Sequence, residues 1–485
     1  MGAVYMLGTS MGKSAVVMLV LVFLTTTCIA VTPALSSDDI VENSWAAKAP
    51  MSQARSSLGV AVVNGKIYAI GGTTKSWVPF SNPGGAVGTN EEYDPTTNTW
   101  THKMSMFTPR EGFAIGSYEG KIYCIGGYTT NGSITGVNEV YDPATNWWET
   151  RTPMPTPRAY LQANVVDGKM YLIGGFIPTD NPDFGYDISN VIEVYDPATD
   201  TWTQKAPSTY GSCGYATAAL DGKIYVLSGS FDNLRTKMNQ IYDTQSDTWT
   251  VGSSAPSYFM SGAAVATTGV MAPKRIYVFD APCPDRASHP DVPLYSTQVY
   301  DPETDSWVAG ADLPTGQVDA AVAIIDDVIY VIGGYRATYR DVYDWVYGPQ
   351  IAKYATNDQY TPFGYGTTPP VIEVVSPVKQ TYNASSVSLD FMLNKPAVWM
   401  GYSLDGQDNV TINGNTTLDG LANGLHNVTV YARDELENTG TSETITFTVD
   451  APFPTALVAA STASIAIIGV GVLVYFKKRK NQTRK

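Results

Sequence analysis

A motif that occurs six times constrains this chain more than any other feature. One copy reads Asn64-Gly-Lys-Ile-Tyr-Ala-Ile-Gly-Gly72, followed by Tyr93-Asp-Pro-Thr-Thr-Asn-Thr-Trp100. Close copies lie at Gly120–Gly127 with Tyr141–Trp148, and at Asp167–Gly175 with Tyr195–Trp202. Weaker ones lie at Gly222–Gly229 with Tyr242–Trp249, Arg275–Asp280 with Tyr300–Trp307, and Asp327–Gly334 with Tyr354. The tryptophans at 45, 100, 148, 202, 249 and 307 recur at steps of 47 to 58 residues. Self-similarity at such a period means stacked supersecondary units that share one core.

Each unit reads as four short strands. In the second they are predicted at 113–118, 121–125, 137–142 and 147–151, from innermost to outermost. The apolar residues run continuously or alternate, as strands covered on two faces or one should. Gly126-Gly127 ends the second strand, where glycine permits positive φ and close backbone approach. Asp142-Pro-Ala-Thr-Asn146 is a tight turn, in which Asp bonds nearby amides and Pro presets φ. The Asx pair four apart recurs at Asp94/Asn98, Asp196/Asp200, Asp243/Asp247 and Asp301/Asp305. These loops carry too few ligands for Ca²⁺, and no zinc-type Cys spacing exists, so no metal and no cofactor are expected.

The double glycine with a Tyr/Trp pair at this period resembles the kelch repeat. The resemblance implies an all-β, six-bladed kelch β-propeller over residues 43–366. Trp45 has no Tyr-Asp partner before it, and the last unit has Tyr354 with no Trp after it. Asn43–Lys48 is therefore expected to supply the outer strand of the sixth blade, closing the ring and removing exposed edges.

After the turn-rich Gly364–Pro370 the repeat stops. Residues 371–450 alternate like some seven short strands of a β-sandwich, resembling an Ig-like or fibronectin-III-like spacer. At the N-terminus an apolar run, 15–24, follows Lys13 and precedes small residues, so residues 1–36 read as a signal peptide. Residues 455–476 read as a transmembrane helix, uncharged over 456–476 and followed by the basic tail 477–485. The Lys/Arg cluster predicts a cytoplasmic C-terminus and an ectodomain outside a cell membrane.

The formal charge of −15 excludes a nucleic-acid partner, whose phosphates need a basic face. An extracellular protein or glycan is the expected partner. Sequons at Asn131, Asn383, Asn409, Asn415 and Asn427 are candidate glycosylation sites. Cys213 and Cys283 fall in loops on the same propeller face in neighbouring blades, and form a candidate disulfide; Cys124 reads as a core residue.

No nucleophile–base or phosphate-binding signature occurs, and no catalytic residue is assigned. His102, His289 and His426 are too scattered for a copper site. Long second-to-third-strand loops share one face, and the sixth carries Tyr335, Arg336, Arg340 and Trp345, which are candidate ligand residues. Arg55, Arg110 and Arg158 each precede an innermost strand. Kelch domains that capture acidic peptides use arginines at that location, so the resemblance nominates these three for the axial mouth. The alternative is that each belongs to the repeat and bonds neighbouring loops. The expected function is cell-surface recognition through the loop face. A mutarotase-like sugar enzyme, with Glu111 as its best-placed acid/base group, and a purely structural envelope component are the alternatives.

Overall fold

Six four-stranded antiparallel sheets follow one another along the chain of the computed structural model. Described residues are 41–75, 85–179, 186–231, 234–257, 262–280, 296–335 and 353–452. They contain strands and turns but no helix. The expected membrane segments, 1–36 and 455–476, lie outside them, as does the tail.

The burial of each strand follows from its residues. The second sheet comprises Ala114–Tyr118, Lys121–Ile125, Asn138–Asp142 and Trp147–Arg151. Its second strand is apolar throughout and buried on both faces beyond Lys121, as a central strand should be. Outer strands such as Thr99–Lys103 alternate, with the Trp half-buried and its neighbours exposed. Phe113, expected at the start of the innermost strand, precedes it and packs in the core instead.

The turns tie each sheet to the one before it. Asn98, Asn146, Asp200, Asp247 and Asp305 hold positive φ, where Asn and Asp are the most tolerant non-glycine residues. Each accepts the hydroxyl of its own sheet's Tyr, as in Tyr141–Asn146 at 2.7 Å. Each also accepts a backbone amide of the preceding sheet's connection, as in Met104 N–Asn146 Oδ1 at 2.8 Å. The Trp beside it repeats the tie, Trp148 Nε1 donating to Met104 O at 2.8 Å. Meanwhile Asp142 caps its own turn through Ala144 N at 2.8 Å.

The last sheet is completed from the chain's beginning. Ser44–Ala47 pairs antiparallel with Asn357–Thr361, Trp45 opposite Tyr360. Tyr360, not Tyr354, is thus the repeat tyrosine of this unit. Its hydroxyl reaches Asn43 Oδ1 at 2.7 Å, and Trp45 Nε1 reaches Ala311 O at 3.1 Å. Asn43 and Trp45 are the missing half of the turn motif, separated from Tyr360 by most of the chain. Tyr354 precedes that strand, its amide donating to Gly334 O at 2.8 Å.

Beyond the propeller, a sheet of Ile372–Ser376, Val387–Leu393 and Thr416–Leu418 faces a larger sheet built on Trp399–Leu404, Gly424–Arg433 and Ile445–Val449. Leu389, Phe391, Leu418, Val428, Val430 and Phe447 fill the space between them. The 362–370 connection is held from both sides. Gly366 N donates to Met271 O at 2.7 Å, and Asn438 Nδ2 donates to Gly366 O at 2.6 Å. Lys395, paired with buried Asp434 at 2.7 Å, also donates to Thr368 O.

Candidate functional site at the axial mouth

The innermost strands enclose a central cavity of about 210 Å³, lined by Val60, Ile115, Ala163, Thr217, Ala264 and Val322, one from each sheet. Its rim is the residue two places after the repeat arginine: Ser57, Gly112, Tyr160, Gly214 and Asp319, all at positive φ. These residues bond around the axis: Ser57 N to Asp319 O at 3.0 Å, Gly112 N to Ser57 O at 2.9 Å, Tyr160 N to Gly112 O at 2.6 Å. A rim so tied holds its side chains in fixed places, which is what a binding site requires.

The arginines do not reach this mouth. Arg55, Arg110 and Arg158 are each 0% exposed. Arg110 donates to Gly126 O at 3.2 Å, Val137 O at 2.7 Å and Cys124 O at 2.8 Å, and pairs with buried Glu139 at 3.1 Å. Arg55 and Arg158 pair likewise with Glu91 at 2.7 Å and Glu193 at 2.9 Å. Burial lowers each guanidinium's pKa and the glutamate opposes that. The ligand role expected of these three is therefore corrected: they lock the double-glycine corner of their own sheets. A readable signal was missed. The residue two places before the repeat tyrosine is Glu91, Glu139 or Glu193 where arginine is present, and Gln240, Gln298 or Asp358 where it is absent. In the last sheet Gln317 occupies the arginine's place and donates to Asp358 Oδ2 at 2.9 Å.

Next to the rim in the chain, a second set of groups comes one residue after the arginine position and one after the glycine pair. Ser56 bridges Thr73, Glu111 pairs with Tyr128, Ala159 bridges Phe176, and Val318 bridges Tyr335. Glu111 is the chemically distinctive member. Burial pushes its pKa up to about 7, against hydrogen bonds from Thr73 and Tyr160 and the charge of Lys353; Asp319 adds to the rise. Its Oε2 is enclosed without a hydrogen-bonding partner. Lys353 donates to Ser56 Oγ at 2.6 Å and lies 4.6 Å from the Tyr335 ring centre. Burial lowers its pKa, while Asp319 and Glu111 oppose. Among the described residues Lys353 and Glu111 make no direct ion pair.

Half-buried aromatic rings stand around these charges. Tyr160 meets Phe176 edge-on at 5.8 Å, and Phe176 meets Tyr186 at 4.4 Å. Of the expected ligand residues, Tyr335 is bridged to Val318, next to the rim residue Asp319; Arg336, Arg340 and Trp345 lie outside the described residues. Sequence reading named Glu111 but not Lys353, whose approach follows from ring closure.

Cys213 is buried, with its thiol pushed up to about 12 by burial. Cys283 lies outside the described residues, as does His289. Cys124 is a fully buried core residue. His102 is exposed beside Ser52 Oγ at 3.2 Å, and His426 bonds Asp405 at 2.7 Å in the second domain, so neither serves the mouth. All five sequon asparagines, Asn131, Asn383, Asn409, Asn415 and Asn427, are exposed. Among the described residues no group of three or more His, Cys, Asp or Glu could hold a metal ion.

Residues 57–280 match the KLHDC2/KLHL20/DRC7 kelch-repeats domain. Kelch-like protein 26 of Danio rerio is 30% identical over 57% of this chain and 35% of its own length. Kelch-like protein 15 of Danio rerio is 25% identical over 51% and 34%, and Kelch-like protein terF of Aspergillus terreus 28% identical over 34% and 36%. The chain thus spans about a third of the length of these curated relatives. The solved structure of YjhT overlaps 63% of the chain at 16% identity and a TM-score of 0.48. With its repeated Tyr/Trp ties and double-glycine corners, the chain carries a kelch-repeat β-propeller domain similar to those of kelch-like proteins.

Proposed function

We propose that this protein is a membrane-anchored cell-surface recognition protein. In this reading a six-bladed kelch propeller binds a protein or glycan ligand at its axial mouth. An Ig-like second domain serves as spacer, residues 456–476 anchor the chain, and 477–485 lie in the cytoplasm. The observation that carries it is the tied rim of Ser57, Gly112, Tyr160 and Asp319 around an open cavity, with Glu111 next to Gly112 in the chain. Rigid scaffolds present ligand-binding groups in this manner. Exposed sequons at Asn383, Asn409, Asn415 and Asn427 support a glycosylated stalk.

The test has two parts. Intact cells expressing the full chain are treated with a protease that cannot cross membranes; loss of the propeller with retention of the C-terminal tail is expected. The full chain in detergent is then screened on glycan and peptide arrays, with Tyr335→Ala as control. A protease-resistant propeller would refute the surface reading. A ligand held equally by the variant would refute the mouth.

One observation favours a second reading, a sugar-acting enzyme. A carboxyl that titrates near 7 beside a lysine is suited to moving protons at neutral pH. Turnover of a reducing sugar abolished by Glu111→Gln would establish it.

A further inference from the structure

The repeat is broken at one end of the propeller, and the breaks interlock. Five sheets join their innermost strand to the next by a two-residue turn: Asn64-Gly65, Glu119-Gly120, Asp167-Gly168, Asp221-Gly222 and Asp326-Asp327. The fifth sheet instead spends nine residues, 267–275. In the sixth sheet Asp327, at φ +61°, stands where the other two-residue turns have glycine, and it is 1% exposed. Its carboxylate is the anchor of the fifth sheet's insertion. Oδ1 accepts Thr268 N at 2.6 Å, and Oδ2 accepts Met271 N at 2.8 Å and Ala272 N at 3.0 Å. A buried carboxylate that takes several amides from one loop fixes the shape of that loop.

The fixed loop meets the connection to the second domain. Met271 O accepts Gly366 N at 2.7 Å, and Pro273 packs on Gly364, where a Cβ would stand 2.9 Å from Pro273 Cδ. By composition the Gly-, Thr- and Pro-rich 362–370 reads as a tether. Yet Pro362, Gly366 and Pro370 are buried, Phe363 N donates to Tyr277 Oη at 3.1 Å, and Gly364 N donates to the Glu42 carboxylate. The second domain grips the same stretch. Asn438 Nδ2 donates to Gly366 O at 2.6 Å, Lys395 donates to Thr368 O, and a Cβ at Gly440 would run into Pro370 O. Asp434 orders that side as Asp327 orders the other: it pairs with Lys395 and accepts Leu436 N at 3.0 Å and Asn438 N at 2.9 Å. Releasing the connection would strip an acceptor from the buried Lys395 ammonium, which is costly for a charged group.

We propose that the 267–275 insertion and Asp327 are a socket for this chain's own second domain, which makes 362–370 a rigid elbow and not a hinge. The rim of the axial mouth precedes the innermost strands and the hairpin turns follow them, so the socket lies at the opposite end of those strands. A second domain held there leaves the mouth uncovered and gives it one fixed direction. This holds whatever the mouth binds.

Hydrogen exchange read by mass spectrometry on the full chain in detergent micelles tests it. Peptides covering 362–371 should exchange about a hundredfold or more slower than an unstructured segment of the same sequence. Asp327→Gly puts the repeat's own residue into the turn, so 321–332 should stay protected while exchange in 267–275 and 362–371 rises about tenfold or more. Asn438→Ala should raise exchange at 362–371 from the other side. A parent connection that exchanges at the unstructured rate would overturn the socket. So would a folded Asp327→Gly whose connection exchanges as slowly as the parent's. If Asp327→Gly loses protection throughout 321–332, Asn438→Ala decides, and unchanged exchange at 362–371 in that variant overturns the proposal.

Discussion

Replacing Arg110 by leucine tests the central structural correction, that the repeat arginines hold the fold and not a ligand. Arg110 is 0% exposed and its partner Glu139 is 2% exposed. The substitution leaves the Glu139 carboxylate buried with Thr108 as its neighbour, Oγ1 donating at 2.7 Å. Removing one member of a buried pair costs about 3–5 kcal/mol, because the remaining charge stays uncompensated. The carbonyls of Cys124 and Gly126 also lose this donor, a further loss of roughly 1 kcal/mol or more each where water does not enter, whereas Val137 O keeps the Gly126 amide at 3.0 Å. For a domain of this size 1 kcal/mol moves Tm by about 2 °C, so a fall of about 8 °C or more is expected. The double variant Arg110→Leu/Glu139→Leu removes the stranded charge but not the orphaned carbonyls. It should recover about 2 kcal/mol relative to the single variant. Tm would be followed by differential scanning calorimetry, with urea midpoints as a check. A single variant within 2 °C of the parent, or a double variant no better than the single, would refute the reasoning.

Three more outcomes follow from the same geometry. Trp45→Ala removes the half-buried ring and the Ala311 tie that close the last sheet, and should cost about 3 kcal/mol with one cooperative transition retained; an unchanged melting curve would mean that closure does not depend on this strand. At Gly126 a Cβ would stand 2.6 Å from Arg158 O at φ +73°, whereas at Gly120 nothing lies within 4 Å at φ +74°. Alanine at Gly120 should cost about 1–2 kcal/mol from the left-handed backbone alone, and clearly more at Gly126; the reverse order in urea unfolding would contradict the corner packing. Glu111 is held protonated by the fold up to about pH 7, against an ordinary value of 4.5. Its raised pKa gives a contribution that is fully present below pH 4.5 and lost as pH rises through 7, amounting to about 3 kcal/mol across that window. Lys353 and Asp319 face the same carboxyl and set the size of the effect. Urea midpoints of parent and Glu111→Gln should therefore diverge between pH 5 and pH 8, the variant losing less; parallel pH profiles would show that Glu111 ionises normally.

Much of the architecture was legible because it is local and repeated. In the first five units strands two to four, their turn and the glycine corner lie within some thirty to forty residues, and their signals are periodicity and turn chemistry. The predicted strand 121–125 and the outer strand 147–151 coincide with those observed. What the residues could not announce is which polar group faces another sheet. Asn146 looks like a turn residue, and is one, yet its Oδ1 also holds Met104 of the preceding sheet. The arginines looked available because a pre-strand position on one face is near the mouth. Rotation of the side chain into the sheet, towards Glu139 and three carbonyls, is decided by packing and by the cost of leaving those acceptors unpaired.

By itself the chain's sequence determined the repeat, the all-β class, and the need for the N-terminal segment to complete the last sheet. These depend on composition, period and short-range pattern. Tertiary structure alone decided that Tyr360 and not Tyr354 meets Trp45, and that three arginines are buried while Glu111 and Lys353 share a mouth. Residues 111 and 353 are brought together only when the ring closes. Desolvation there, which changes both of their affinities for protons, belongs to the closed ring and to no segment of the chain.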